Sequence, residues 1–187
     1  MIDKNAKLVA NYLRKAFSGS PEVQRYMAND NVRYVDIIKT AHPDKITYVG
    51  TIGGFRRTMR GGAQSRNPEI RVEILSAVQA AYVEIMAQTL GYLIFCIDTD
   101  NVFYHPGMIV ENAIPENRFS NMHHVYLCDP FLWENGLKSI CFDNFTLAFL
   151  YAMPITDEEK VFFEKNGTEA FENYLQEKNV QYFDMRR

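Results

Sequence analysis

The segment that decides the fold runs from Tyr104 to Asp157 and reads YHPGMIVENAIPENRFSNMHHVYLCDPFLWENGLKSICFDNFTLAFLYAMPITD. Two apolar runs in it are typical of β-strands, His124 to Cys128 and Phe145 to Tyr151. Because a proline has no amide proton to donate, we expect the second strand to stop at Pro154. Thr156 is followed three residues later by a glutamate, which is the spacing of a reciprocal capping box. The segment therefore predicts strands that lead directly into helices.

Two helices are predicted in the C-terminal tail. The first runs from Thr156 to Lys165 and is stopped by Asn166-Gly167, and a second, capped by Thr168, runs to about Lys178. We expect the large apolar side chains of these helices to pack across the sheet: Val161, Phe162, Phe171 and Leu175. The carboxylates of the tail, Glu172 among them, are expected to form the solvated faces of the helices.

The first half of the chain also alternates between helical and extended patterns. An apolar stripe at three- and four-residue steps predicts an N-terminal helix that includes Ile2, Ala6, Val9, Leu13 and Phe17. Four β-strands are predicted at residues 22–26, 32–39, 46–52 and 71–77, separated by turn-forming residues. A helical pattern begins at Gln79, and the apolar run that continues to Ile97 predicts a helix buried on most sides.

Length and composition predict one ordinary globular domain that spans residues 1–187. A chain of this size can bury enough surface to fold without a metal ion or disulfides. The hydrophobic fraction of 47% and the charged fraction of 23% are normal for such a domain. A formal net charge of -3 argues against direct binding of nucleic acid, which calls for a basic surface.

The sequence predicts a cytoplasmic protein that does not bind a membrane. The N-terminus mixes charged and apolar residues and lacks the apolar core of a signal peptide. We find no apolar stretch of about 18 residues, the length that spans a bilayer. The three cysteines, Cys96, Cys128 and Cys141, fit neither a disulfide framework nor a C-x-x-C pair, so we expect three reduced thiols.

An arginine-rich segment between Phe55 and Arg71 allows two interpretations. It contains Arg56, Arg57, Arg60, Arg66 and Arg71, with Gly61-Gly62 and Pro68 between them. One interpretation is a flexible loop that binds phosphate. The other, which we favour, is a solvated surface loop between two strands.

Catalytic motifs are weak or missing. Asp98 and Asp100 resemble the D-x-D pair that some glycosyltransferases use to hold a divalent cation, but such pairs are common by chance. His123 and His124 are adjacent in a predicted strand, so we expect their side chains to point to opposite faces and not to share one ion. The sequence has no G-x-S-x-G elbow and no phosphate-binding glycine loop. We therefore predict no catalytic residue, no metal site and no cofactor.

The order of four motifs resembles the bacterial suppressor-of-fused-like domain family. These motifs are YHPG, AIPENRFSNMHHVYLCDPFLW, AMPITDEEKVFFEKNG and YFDMRR, and the resemblance covers residues 105–187. It implies a single α+β domain with a mixed, mostly antiparallel sheet flanked by helices. Such a domain is similar to the N-terminal lobe of the animal Hedgehog-pathway regulator.

The resemblance also implies a function, because many bacterial members look like immunity proteins or antitoxins. These members bind the cognate domain of a secreted polymorphic toxin, often a nuclease, and neutralise it. We therefore predict a non-enzymatic protein that binds a toxin domain. Two alternatives stay open: an adaptor that binds a partner peptide, and a metal-dependent enzyme that uses Asp98, Asp100 and a histidine.

The predicted partner-binding surface is acidic and aromatic and is drawn from residues 98–133, with one further carboxylate just beyond. Its candidate residues are Asp98, Asp100, Tyr104, Glu111, Glu116, Phe119, Asp129 and Glu134. In this span Arg118 is the single Lys or Arg residue. An acidic surface would complement the basic groove with which a nuclease binds phosphates.

Overall fold

A computed structural model describes residues 3–59, 69–116, 120–133 and 137–187. Three α-helices lie within these ranges: α1 (Lys4–Phe17), α2 (Val83–Thr99) and α3 (Asp157–Glu177). Eight β-strands lie between them in two groups of four. The first group, between α1 and α2, is β1 (Glu22–Met27), β2 (Tyr34–Ala41), β3 (Ile46–Ile52) and β4 (Glu69–Gln79). The second group, between α2 and α3, is β5 (Met108–Val110), β6 (His124–Cys128), β7 (Ile140–Cys141) and β8 (Phe145–Ile155). The predicted elements are all present in the described residues, with shifts of a few residues at their ends.

The strands form one sheet with the order β1-β2-β3-β4-β8-β6-β5, and the short β7 pairs with β8 beside this path. Strands β4 and β8 are parallel, and the other neighbours are antiparallel. This arrangement confirms the predicted α+β domain with a mixed, mostly antiparallel sheet.

Helices cover both faces of the sheet. On one face, α2 packs over Val72, Ile74, Leu150 and Ala152. On the other, α1 and α3 pack over a second set of side chains that alternates with the first along each strand: Leu75, Ala77, Leu147, Phe149, Tyr151 and Met153. Because successive residues of a strand point to opposite faces, β8 is buried on both sides and reads as one continuous apolar run.

Helix α2 is the most apolar helix in the described part of the chain. The segment Ala80–Thr99 has the length and the mean hydropathy, 1.5, of a membrane span, so our prediction that no stretch would reach this threshold was wrong. However, Met86, Leu90, Leu93 and Ile94 are fully buried against the sheet. Packing in the core accounts for this composition, since a helix covered on most sides is apolar all round.

The sequence predicted that strand β8 stops at Pro154, but the strand continues to Ile155. The ladder with β4 ends at the pair of Leu75 and Tyr151, and Pro154 lies beyond it, opposite Val125 of β6. Its missing amide proton therefore costs no hydrogen bond on the β4 side. The Pro154 carbonyl accepts a hydrogen bond from Arg187 Nη2 at 2.6 Å, which ties the C-terminus to this strand.

Helix α3 begins and breaks where the sequence predicts. Thr156 and Glu159 form the reciprocal capping box, and Gly167 adopts φ 80° and ψ 178°, which interrupts the helix. Phe171 and Leu175, which follow the break, are buried in the core, but Val161 is 61% exposed. The prediction that Val161 packs across the sheet was wrong, because the first segment of α3 turns Phe162 and Phe163 toward the core and leaves Val161 on its outer face.

A buried carboxylate that the sequence did not reveal holds the turn after β3. Glu73 of β4 is fully buried and accepts hydrogen bonds from the Thr51 hydroxyl and from three successive amides, Gly53, Gly54 and Phe55. A Cβ atom on Gly54 would lie 2.0 Å from the Val72 carbonyl oxygen, so the turn requires glycine there. Burial raises the pKa of Glu73, and the four donors oppose this rise by stabilising the charged form.

We expect Glu73→Gln to lower the free energy of unfolding by about 2 kcal/mol or more. The variant places an NH2 group where the turn offers only donors, so at least one buried amide loses its acceptor. Urea denaturation would measure the change, with Glu69→Gln on the same strand as the control. A loss no larger than that of the control would contradict this account of the turn.

A second pair of variants tests the packing of α3. Phe171→Ala should cost about 4 kcal/mol of stability because it empties a fully buried site. Val161→Ala should change stability by less than about 0.5 kcal/mol, since that side chain is mostly exposed. Thermal unfolding of both variants measures the two losses of stability. Equal losses would contradict the difference in burial between Phe171 and Val161.

Candidate functional site

A concave site lies where β6, β8 and α3 meet the C-terminal segment. It is a pocket of about 310 Å³. We call it the acidic pocket and define it by six of its lining residues: Tyr126, Cys128, Asp129, Phe131, Glu172 and Tyr182. Pro106, Met153, Leu175 and Gln176 complete its wall.

Local structure explains how these side chains converge. Tyr126 and Cys128 alternate with inward-facing residues of β6 and so point toward α3. Directly after the strand, Asp129 begins a tight turn in which the Phe131 amide donates to the Asp129 carbonyl at 2.8 Å. Glu172 follows the buried Phe171 and reaches the same region from α3. The pocket is thus assembled from a strand end and a helix face.

Two carboxylates set the electrostatics of the acidic pocket. Glu172 Oε1 accepts a hydrogen bond from the Tyr126 hydroxyl at 2.8 Å, and burial together with this carboxylate raises the pKa of Tyr126. Burial raises the pKa of the Cys128 thiol to about 12, and Glu172 and Asp129 add to this rise because both disfavour a nearby thiolate. The floor of the pocket is therefore strongly unfavourable for negative charge.

An exposed aromatic ring forms one side of the pocket. The Phe131 side chain is 49% exposed, and its ring makes edge contacts with Tyr151 and Tyr182, each at a centroid distance of 5.3 Å. These contacts fix the ring while leaving part of it open. The site therefore combines negative charge with an aromatic surface, the combination that binds cations or cationic side chains.

The structure places the predicted partner-binding residues in different environments. Asp98 Oδ2 lies 2.8 Å from Arg57 Nε and 3.8 Å from Arg33 Nη1, and Glu111 lies 3.2 Å from Lys160 Nζ, so both are engaged in ion pairs within the protein. Asp100, Glu116 and Asp129 are exposed, and of these Asp129 lines the acidic pocket. Phe119 and Glu134 lie outside the described residues.

Tyr104 requires a correction. We considered it a possible exposed contact residue, but its side chain is 2% exposed and its hydroxyl donates to the Leu93 carbonyl of α2 at 2.9 Å. The ring packs in the core beneath α2. Tyr104 therefore stabilises the fold and presents no surface to a partner.

The two adjacent histidines also differ from expectation. The rings of His123 and His124 do not diverge, because both contact the same oxygen, Asp157 Oδ1, at 3.0 Å and 2.9 Å. His123 precedes the first residue of β6, so strand alternation does not separate the two rings. His124 Nδ1 accepts from the Asn112 amide, which leaves Nε2 to donate to Asp157. These bonds lower the pKa of Asp157, that from His123 most.

The described arginines of the arginine-rich segment serve the fold. Arg57 is 7% exposed and bonds Asp98, Arg56 pairs with Asp3 at 2.9 Å, and Arg71 Nη1 donates to the Phe55 carbonyl at 2.7 Å. The favoured interpretation, a solvated loop, is wrong for Arg57, because its guanidinium is buried against backbone carbonyls and a carboxylate. Arg60 and Arg66 lie outside the described residues.

A metal centre finds no support in the part of the chain that the structure describes. It contains no group of three or more His, Cys, Asp or Glu side chains that could hold a metal ion. Asp98, one half of the D-x-D pair, is instead paired with arginine. The described cysteines are free, with Cys96 and Cys128 buried and Cys141 exposed.

Sequence reasoning missed most of the acidic pocket. Glu172 lies on an exposed helix face, as the sequence predicts, but its place in a pocket is not predicted, and neither are the roles of Tyr126, Phe131 and Tyr182. The available signal was the alternation in β6, which places Tyr126 and Cys128 on one face together. Nothing in the sequence alone brings the second segment of α3 onto that face.

Two comparisons of the sequence with known proteins find similar proteins. A family model described as suppressor of fused protein (SUFU) matches residues 29–187. The chain is 28% identical over 189 residues to a protein of Bacillus subtilis (strain 168) named Immunity protein YqcF, and the match covers 100% of this chain and 97% of the relative.

Solved structures share the fold. A suppressor of fused homologue from Neisseria gonorrhoeae FA 1090 superposes with a TM-score of 0.66 at 17% identity, covering 98% of this chain and 94% of that one. Drosophila Suppressor of Fused gives 0.63 at 11% identity, covering 94% of this chain and 49% of that one. A structure of the Sufu-Fu complex gives 0.59 at 12% identity, covering 92% and 84%.

Thiol reactivity tests the described environment of the pocket floor. At pH 8 a pKa of about 12 leaves only about one Cys128 in ten thousand as the reactive thiolate. We expect one thiol, the exposed Cys141, to react rapidly with iodoacetamide in the folded protein, as mapped by mass spectrometry of tryptic peptides. Cys141→Ser should remove the rapid phase, and rapid labelling of Cys128 in the folded protein would contradict the structure.

Proposed function

Because this chain belongs to the suppressor of fused protein family, we propose that it is an immunity protein that neutralises a cognate toxin by direct, stoichiometric binding. The observation that carries the proposal is the similarity to Immunity protein YqcF along the full length of both chains. The names of the other relatives describe suppressor of fused proteins and, in one case, a complex with a partner. None of these names describes an enzyme.

The acidic pocket supports a binding role. It is concave, carries two carboxylates and an exposed aromatic ring, and contains Asp129, one of the predicted partner-binding residues. Exposed aromatic rings often supply the central contacts of a protein interface, and the surrounding charges steer the encounter. The binding surface is therefore centred on Asp129, Phe131 and Glu172, and Asp98 and Glu111 contribute less because they are already paired.

The toxin class that best fits this surface is a nuclease. A nuclease binds phosphates with a basic groove, and a protein with net charge -3 and an acidic pocket complements such a groove. Blocking the groove needs one immunity protein for each toxin and no catalytic step. In this proposal the protein acts in the cytoplasm, where it protects the producing cell.

An adaptor that binds a partner peptide is the second candidate. The similarity to Sufu, which forms a complex with Fu, favours it. The two candidates differ in their effect on a toxin. An adaptor would bind its peptide without protecting cells from the product of a neighbouring toxin gene.

Neutralisation is the direct experiment. The toxin domain encoded beside this gene would be expressed in Escherichia coli with and without the protein, and growth and complex stoichiometry would be measured. We expect protection and a one-to-one complex by light scattering after gel filtration. Protection at far below one protein per toxin would overturn the stoichiometric mechanism, and lack of both protection and binding would overturn the proposed function.

Charge reversal at the pocket tests the surface. Asp129→Lys should weaken binding of the toxin by about tenfold, mainly through slower association, and should flatten the salt dependence of binding. Glu169→Lys makes the same charge change at an exposed position of α3 outside the pocket and serves as the control. Surface plasmon resonance measures both affinities. Equal affinities of the two variants would show that the toxin binds outside the acidic pocket.

A further inference from the structure

Asp129 and Glu172 are the two carboxylates that line the acidic pocket. Asp98, Glu111 and Glu159 each lie within 3.3 Å of a basic side chain of the same protein. In contrast, neither Asp129 nor Glu172 has an ion-pair partner among the residues that the structure describes. The protein thus leaves two negative charges unneutralised at one concave site.

These two charges act on the same small volume. Tyr126 and Cys128 both line the pocket, and burial together with the negative charges of Asp129 and Glu172 raises the pKa of each. Tyr126 holds Glu172 Oε1 through its hydroxyl, which fixes the carboxylate over the pocket instead of leaving it free in solvent. A positive charge placed in the pocket would interact with both carboxylates at once.

The aromatic side chains define the shape of the occupant. Phe131 is held in place by the rings of Tyr151 and Tyr182 and is half exposed beside Asp129. A flat cation can stack on such a ring while its edge bonds a carboxylate. The pocket volume of about 310 Å³ lies at the lower limit for small-molecule sites, so it suits one side chain better than a larger ligand.

We propose that the acidic pocket receives a single arginine side chain of the protein partner, with the guanidinium between Asp129 and Glu172 and its face toward Phe131. Arginine fits better than lysine because its planar fork can bond carboxylates and stack on a ring at the same time. The presence of a protein partner rests on the proposed function, but the preference of the pocket for a guanidinium does not.

A fragment titration tests the pocket without the partner. The probe is N-acetyl-arginine amide, and the matched control probe is N-acetyl-citrulline amide, which has nearly the same shape but no charge. We expect saturable shifts in 1H-15N spectra at Cys128, Asp129, Phe131 and Glu172, with the arginine probe bound about tenfold more tightly than the citrulline probe. The corresponding lysine probe should bind with intermediate affinity.

Variants then assign the binding to the two carboxylates and the ring. Asp129→Asn with Glu172→Gln should reduce binding of the arginine probe by about tenfold, and the new amide of the second substitution keeps an oxygen that can accept from Tyr126. Phe131→Leu should also weaken binding of the arginine probe but leave that of the lysine probe less changed. Glu169→Gln is the control on the same helix, and melting temperatures verify that each variant folds.

The outcomes separate this inference from the proposed function. Equal binding of the arginine and citrulline probes, shifts outside the pocket, or binding unaffected by the double variant would overturn the arginine pocket. If the arginine probe binds as expected but the toxin is not neutralised, the pocket stands and the proposed function fails. If the toxin is neutralised without any probe binding, the immunity function stands and the arginine pocket is overturned.

Discussion

The parallel ladder between β4 and β8 is the constraint on which the rest of the structure depends. It joins seven residue pairs and is the seam between an antiparallel N-terminal half, β1 to β4, and a C-terminal half, β5 to β8. Parallel neighbours require a long crossover connection, and α2 lies within it and covers one face of the sheet. Because β8 is then buried on both faces, α1 and α3 must cover the other side.

This arrangement also forms the acidic pocket, where we propose that a partner binds. Past the end of the β4 ladder, β8 pairs with β6 alone, and the broken helix α3 lies over that part of the sheet. The break at Gly167 lets Phe171 and Leu175 fill the core while Glu172 stays at the surface beside Tyr126. Other charges are paired within the protein, as in the Arg57–Asp98 and Lys160–Glu111 ion pairs. The acidic pocket combines two carboxylates with an exposed aromatic ring, and we propose that a partner binds there.

Much of this fold can be read from the sequence, because local patterns report local structure. Short runs of apolar and β-branched residues place β3 and β6 correctly, the capping box places the start of α3, and Asn166-Gly167 marks its break. The order of motifs in residues 105–187 gives the family. The errors follow from packing: Pro154 is accepted in β8 because the neighbouring ladder has already ended, and Tyr104 is buried because its ring packs beneath α2 and its hydroxyl bonds the Leu93 carbonyl.

The sequence by itself thus determined the class of fold, the family and the absence of familiar catalytic motifs. Tertiary structure alone decided which carboxylates are free. Asp98, Glu111 and Asp129 look alike in the sequence. The first two meet a basic side chain from a distant segment, and the third meets none among the residues that the structure describes. Likewise, Glu73 shows no sign of its role until the turn at Gly53 and Gly54 folds around it. The physical reason is that charge pairing and burial depend on segments far apart in the chain, whereas helix and strand patterns depend on neighbours.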